Sequence, residues 1–190
     1  MANALTAFRL LLAAPFAVSM AAADRRHAAG AALILAAAVV SDILDGVVAR
    51  RRATASPGGQ LFDHATDAVF VASGLAGGAL RGAFPALLPI LVAAAFAQYV
   101  IESRWVHGGP GLRGSRLGRY NGILYFAPLG GDILVRVGVR QLEHLVTALA
   151  WLMVASTALS MGLRAMAALR ARARAAPASP GGGRGDRSRR

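Results

Sequence analysis

The chain has 190 residues, of which 56% are hydrophobic and 16% charged, and its formal net charge is +12. This balance excludes an ordinary water-soluble domain and indicates an integral membrane protein. The absence of cysteine excludes disulfides and thiolate metal sites, and the scarcity of aromatic residues among the arginines argues against nucleic-acid binding.

Six apolar segments are long enough to cross the roughly 30 Å hydrocarbon layer of a membrane. In chain order they cover residues 5–23, 28–48, 63–80, 84–101, 117–135 and 142–163. The expected fold is therefore all-α, an integral membrane bundle of six transmembrane helices formed by residues 1–165. Residues 166–190 are expected to form a basic, largely disordered cytoplasmic tail, in which the sixth helix can continue to residue 176 and disorder is expected over residues 177–190.

The arginines predict the orientation of this bundle. With six spans both termini share one side, and that side holds sixteen of the 21 arginines. The positive-inside rule then places both termini and the loops after the second and fourth spans in the cytoplasm. The arginines of the tail fit two interpretations, a topology determinant and an attachment to anionic lipid headgroups.

An acidic stripe ends the second predicted span. Asp42, Asp45, Gly46 and Ala49 stand at i, i+3, i+4 and i+7, which is one face of a helix. Acidic side chains at a membrane require a functional reason. The small residues leave room for a flat group on this face and Arg50 is suited to hold a phosphate, although small residues fit ordinary helix packing as well.

A second acidic stripe begins the third span, where Gly59, Asp63 and Asp67 stand at i, i+4 and i+8. Because residues 50–58 form a short connection, we expect the two stripes to face each other at the cytoplasmic surface. Four converging carboxylates would repel one another without cations, and carboxylates with phosphate oxygens form the usual Mg²⁺ site. Two such ions can clamp a diphosphate and stabilise in-line displacement at phosphorus.

The segment 42–67 resembles the signature of the CDP-alcohol phosphatidyltransferase family, with eight fixed residues at the family's spacing. The resemblance implies a CDP-linked donor, release of CMP, and two Mg²⁺ or Mn²⁺ ions held by Asp42, Asp45, Asp63 and Asp67. It implies that Asp67 is also the general base for the acceptor hydroxyl. The implied donor-binding residues are Asp42, Asp45, Gly46, Ala49, Arg50, Gly59 and Asp63.

Two shorter matches resemble phosphatidylglycerophosphate synthases and imply a bacterial lipid-synthesis branch in the inner membrane. They are Asn3, Leu5, Thr6 and Arg9 in the first span, and Gly118 with Arg119 in the fifth. Such synthases usually carry a proline directly after the third aspartate and a lysine directly after the fourth. Here His64 follows Asp63 and Ala68 follows Asp67, which weighs against glycerol 3-phosphate as the acceptor.

Arg104, Arg116 and Arg119 lie at the cytoplasmic ends of the fourth and fifth spans, at the depth where a phosphorylated acceptor would bind. Positive-inside anchoring explains the same arginines without any substrate. His64 fits a metal or acceptor contact, but the favoured interpretation is a polar residue at a helix start facing headgroups or water.

Three functions are consistent with these patterns. The leading prediction is transfer of the phosphatidyl group from CDP-diacylglycerol to a small polar alcohol, such as glycerol 3-phosphate or an inositol phosphate. The alternative is a CDP-choline or CDP-ethanolamine transferase with diacylglycerol as acceptor. A non-catalytic or cation-transporting membrane protein is the third, but a transporter would place its carboxylates near the bilayer midplane.

The third span also carries Gly74 and Gly78, a spacing that permits close helix approach. It fits packing within one chain and packing between two chains, and we expect a homodimer.

Overall fold

A computed structural model describes residues 2–52, 57–105 and 116–175, and these residues are almost entirely helical, with no strand among them. The prediction of an all-α fold is confirmed. The helices are α1 Ala2–Ala21, α2 Arg25–Arg52, α3 Pro57–Leu80, α4 Leu87–Trp105, α5 Arg116–Leu124, α6 Phe126–Val137 and α7 Glu143–Ala175, with a 3₁₀ turn at Arg140–Leu142.

The prediction of one continuous helix for the fifth span, residues 117–135, is wrong. The structure contains two helices there, α5 and α6, divided at Tyr125. The reason is Pro128, which has no N–H to donate to the carbonyl of Leu124 and whose ring crowds that carbonyl. The chain therefore has more helices than the six that hydropathy predicts.

Two helical segments in the described part of the chain, Arg25–Leu44 and Arg140–Arg170, are long and apolar enough to cross a membrane. Thr6–Ala21 and Leu87–Glu102 are apolar but shorter. Large apolar side chains also cover much of the exterior, including Leu11, Val18, Leu33, Ile90, Leu152 and Leu159. Such an exterior fits a lipid environment, and the number of six spans stays a prediction.

Among the described helices, α1 and α3 make the most extensive contact. The rings of Phe16 and Phe70 stack in parallel with their centroids 4.6 Å apart, and both side chains are fully buried. Close approach is possible because α3 carries glycine where it meets α1. A Cβ added at Gly77 would lie 2.2 Å from the carbonyl oxygen of Ala17, and one at Gly74 would lie 2.3 Å from the Phe16 ring.

We expect Gly77→Ala to lower the free energy of unfolding by about 1–3 kcal/mol, because the new methyl group would force α1 and α3 apart. Thermal unfolding in detergent measures the effect. Gly162→Ala is the matched control, since a Cβ there meets open space on α7, and alanine favours a helix by up to about 1 kcal/mol. Equal melting temperatures for the two variants would contradict this account of the α1–α3 contact.

The glycine pair predicted for close helix approach packs inside the chain. A Cβ at Gly74 would meet Phe16 and Leu129, and one at Gly78 would lie 2.4 Å from the Phe84 ring. The spacing is thus explained by contacts within one subunit, and the homodimer stays a prediction.

An ion-pair cluster lies at the end of the bundle where α1 and α3 both end. The carboxylate of Asp132, on α6, accepts from Arg81 Nη2 at 2.6 and 2.7 Å and from Arg136 Nε at 3.1 Å. The same two arginines donate to carbonyls at the end of α1 and just after it: Arg81 Nε to Met20 at 3.0 Å, and Arg136 Nη1 to Ser19 and Ala22 at 2.9 Å. They satisfy carbonyls that a helix end leaves without partners.

The last helix, α7, continues to Ala175. It therefore extends past residue 165, the predicted end of the membrane domain. Residues 166–175 of the predicted tail continue this helix, as the sequence permits. Residues 177–190, for which disorder is predicted, lie outside the described part of the chain.

Candidate metal centre

Three of the four predicted carboxylates converge in the structure. Asp42 comes from α2, while Asp63 and Asp67 stand one turn apart on α3. One oxygen of each carboxylate lies within 4.8 Å of the others. Oxygens this close, on three formally negative groups, repel one another unless a cation lies among them.

Arg9 of α1 supplies a positive charge at this point. Its Nη2 lies 3.1 Å from Asp42 Oδ1, its Nη1 lies 3.3 Å from Asp63 Oδ1, and Nη1 also pairs with Asp67. The guanidinium is therefore shared by all three carboxylates. It reaches them because α1 packs against both α2 and α3.

The arginine and the carboxylates differ in exposure. The side chain of Arg9 is 2% exposed, whereas those of Asp42, Asp63 and Asp67 are 55%, 35% and 39% exposed. Arg9 thus approaches from the interior of the bundle, and the carboxylates remain open on the other side. Hard oxygen ligands that are accessible from one side fit Mg²⁺ or Mn²⁺ bound together with a phosphate-bearing substrate.

Other predicted site residues lie partly or wholly outside what the structure describes. The structure does not describe the side chains of the donor-site residues Asp45, Ala49 and Arg50, and Gly46 lies in the same stretch of α2. Nor does it describe the side chains of the acceptor-site residues Arg104, Arg116 and Arg119. Gly59 is described, in the first turns of α3, where it is half-buried.

His64, although next to Asp63, lies near an aromatic side chain of α4. Its ring centroid is 6.2 Å from that of Tyr99. The guanidinium carbon of Arg164 is 5.5 Å from the Tyr99 centroid, and Arg164 also donates to Glu102 Oε2 from Nε and Nη2. A second polar cluster therefore joins α4 to α7 beside the start of α3, and the sequence patterns did not predict it.

Arg9 is the site residue whose role the sequence interpretation missed. In the sequence, Arg9 stands out only as a positive charge at a membrane flank and as part of a short match in the first helix. A signal was present, because a charged residue inside an otherwise apolar span is expensive in a membrane unless it has a partner. Nothing in the spacing along the chain, however, identifies partners more than thirty residues away.

Comparison with known proteins gives one match. Residues 1–130 match the family model for CDP-alcohol phosphatidyltransferase, a region that includes α1 to α5 and the three clustered aspartates. No curated protein and no solved structure matches the chain.

Proposed function

Since the chain belongs to the CDP-alcohol phosphatidyltransferase family, we propose that it transfers the phosphatidyl group of CDP-diacylglycerol to a small polar alcohol and releases CMP. This is a phosphotransferase family that acts in phospholipid synthesis, so the chain is an enzyme. The observation that carries the proposal is the convergence of Asp42, Asp63 and Asp67 within 4.8 Å. Such a group of oxygens suits the divalent cations on which the family generally depends.

We assign the metal ligands to Asp42, Asp45, Asp63 and Asp67. The three described carboxylates support this assignment by their mutual distances. When bound, divalent cations at these residues supply charge neutralisation of the donor diphosphate and stabilise the displacement at phosphorus.

The chain's own residues then have three tasks. Gly46, Ala49 and Gly59 leave space for the cytidine, with Arg50 beside the diphosphate. Asp67 accepts the proton of the acceptor hydroxyl, whose oxygen forms a bond to the phosphorus of the phosphatidyl group. The bond from that phosphorus to the CMP oxygen breaks, and CMP leaves with the electron pair.

An apolar groove supports a lipid substrate. It runs along α2 and α6 and is lined by Ala32, Leu35, Ala36, Val39, Val40, Gly130 and Ile133. Val40 precedes Asp42 by two residues on α2, so the groove ends about 3 Å along the helix axis from Asp42. An acyl chain in the groove would place its headgroup beside the aspartates.

For the acceptor we propose a phosphorylated polyol, such as glycerol 3-phosphate or an inositol phosphate, held by Arg104, Arg116 and Arg119. Two or three guanidiniums suit a phosphate dianion because each can donate two parallel hydrogen bonds. We further propose six spans in a bacterial inner membrane, with the site and both termini in the cytoplasm, where the arginine distribution favours them.

A substrate panel tests the function. Purified full-length protein is incubated with CDP-diacylglycerol, Mg²⁺ and one acceptor at a time: glycerol 3-phosphate, inositol phosphate, inositol, serine or choline. A further reaction contains CDP-choline and diacylglycerol. We expect CMP and a new phospholipid with one phosphorylated acceptor. CMP release only from CDP-choline would favour the alternative donor, and no release from any pair would favour a non-catalytic or transport role.

Metal removal gives a further prediction. We expect EDTA to reduce CMP release to background, and added Mg²⁺ or Mn²⁺ to restore it, because the aspartates need a cation to accept the diphosphate. The control is EDTA charged beforehand with equimolar Mg²⁺, which should leave the rate unchanged. Full activity in EDTA would contradict a metal-dependent mechanism.

A further inference from the structure

We propose that Arg9 is a resident counter-ion of the metal site, which partly offsets the negative charge of the carboxylates in the metal-free enzyme and is displaced from between them when cations bind. The inference rests on the proposed function for the identity of the cations. It concerns the chain's own residues, and its test does not require catalysis.

The first argument is that Arg9 and a cation would use the same oxygens. Arg9 Nη2 is 3.1 Å from Asp42 Oδ1, and Nη1 is 3.3 Å from Asp63 Oδ1 and pairs with Asp67. These are the three residues whose oxygens lie within 4.8 Å of one another. A dication among them would lie beside a guanidinium of like charge, which is unfavourable at such short range.

The second argument is that the side chain, rather than the helix, must move. The backbone of α1 is held against α3 by the Phe16–Phe70 stack and by the approach of Ala17 to Gly77. Arg9 lies two turns before Phe16 on the same helix. The long flexible side chain of arginine permits the guanidinium to withdraw while this packing is kept.

The third argument comes from charge. Three ionised carboxylates at this spacing are unstable without a partner, and a buried guanidinium left without carboxylates is unstable as well. Arg9 therefore stabilises the metal-free enzyme. It also lowers the apparent metal affinity, because only molecules in which the guanidinium has withdrawn are competent to bind the cation.

This role differs in sign from the role of an arginine that only orients the ligands. Removal of an orienting residue weakens metal binding, as loss of hydrogen bonds to metal ligands generally does. Removal of a competing cation strengthens it. The direction of the change in metal affinity therefore separates the two roles.

The test measures Mn²⁺ binding to full-length protein in detergent, without substrates, from the electron paramagnetic resonance signal of free Mn²⁺. We expect Arg9→Gln to bind Mn²⁺ about tenfold more tightly than the unaltered protein, because the withdrawal step is no longer needed. In EDTA, the variant should have a lower melting temperature than the unaltered protein. Addition of Mn²⁺ should raise the melting temperature of the variant by more than it raises that of the unaltered protein.

Arg164→Gln is the matched control. It also removes a largely buried guanidinium paired with a carboxylate, here Glu102 on α4. Because this pair is outside the aspartate cluster, the Mn²⁺ affinity of the Arg164→Gln variant should stay within about twofold of that of the unaltered protein. If Arg9→Gln does not fold, Arg9→Lys provides the measurement: its point charge lacks the planar fork that reaches three carboxylates, so its Mn²⁺ affinity should also increase.

Unchanged or weaker Mn²⁺ binding in the Arg9 variants would overturn the inference and leave the proposed function intact. Tighter binding without CMP release from any donor would support the inference and contradict the proposed function. Failure of the unaltered protein to bind Mn²⁺ would contradict the metal centre itself, and this inference with it.

Discussion

Asp67→Asn should lower the rate of CMP release by about 10²–10⁴-fold, the range expected when a general base is lost. The amide keeps the size of the side chain but cannot accept the proton of the acceptor hydroxyl. It also removes one negative charge from beside Arg9, which still pairs with Asp42 and Asp63. We therefore expect the variant to fold and to bind CDP-diacylglycerol in the presence of Mg²⁺.

The rate of CMP release and the binding of donor should be measured on the same preparation. Asp24→Asn is the matched control, because Asp24 caps α2 by accepting from the backbone N–H of His27 at 3.0 Å, a contact that lowers the pKa of its carboxyl. Asparagine caps helices as well as aspartate does. If Asp67→Asn were as active as the Asp24→Asn control, Asp67 would not be the general base. If Asp67→Asn lost donor binding, the role of Asp67 would instead be purely metal binding.

Asp132→Asn should lower the free energy of unfolding by about 3–5 kcal/mol, the usual effect of removing one partner from a buried ion pair. The Asp132 side chain is 6% exposed and contacts both Arg81 and Arg136. Without the carboxylate these two guanidiniums lie close together with no negative charge between them. The C-terminal carbonyls of α1, which the arginines hold, are then expected to lose their partners as well.

Thermal or denaturant unfolding of the purified protein measures this effect. Glu143→Gln is the control, since Glu143 is an exposed acidic residue in the first turn of α7, and exposed substitutions usually change stability by less than about 0.5 kcal/mol. Asp132→Asn should leave Mn²⁺ affinity unchanged, because Arg9 and Met20 are about 16 Å apart along α1. A stability equal to that of the control would contradict a structural role for this cluster.

Much of the candidate site follows from local sequence. Helical periodicity alone places Asp42 at the end of one helix, and Asp63 and Asp67 on one face of the next. The structure brings these three together, as the two stripes and the short connection between them predict. The family match extends over residues 1–130 and thus includes the whole pattern.

The break at Tyr125 has a local cause in Pro128, which hydropathy does not detect because it averages over a window longer than one turn.

Other features depend on contacts between distant segments. The clusters around Asp132 and Glu102 join helices that are far apart in sequence, and their arginines looked like ordinary membrane-flank charges.

The sequence by itself determined the helical class, the acidic stripes and the family to which they belong, since each is a matter of residue type at fixed spacing. Only the tertiary structure decided that Arg9 joins the three carboxylates, because that contact depends on how closely α1 packs between α2 and α3. The closeness depends on a glycine of α3 meeting a backbone carbonyl of α1. Spacing along one chain can indicate that α3 permits close approach, but it does not identify the helix or the carbonyl that α3 meets.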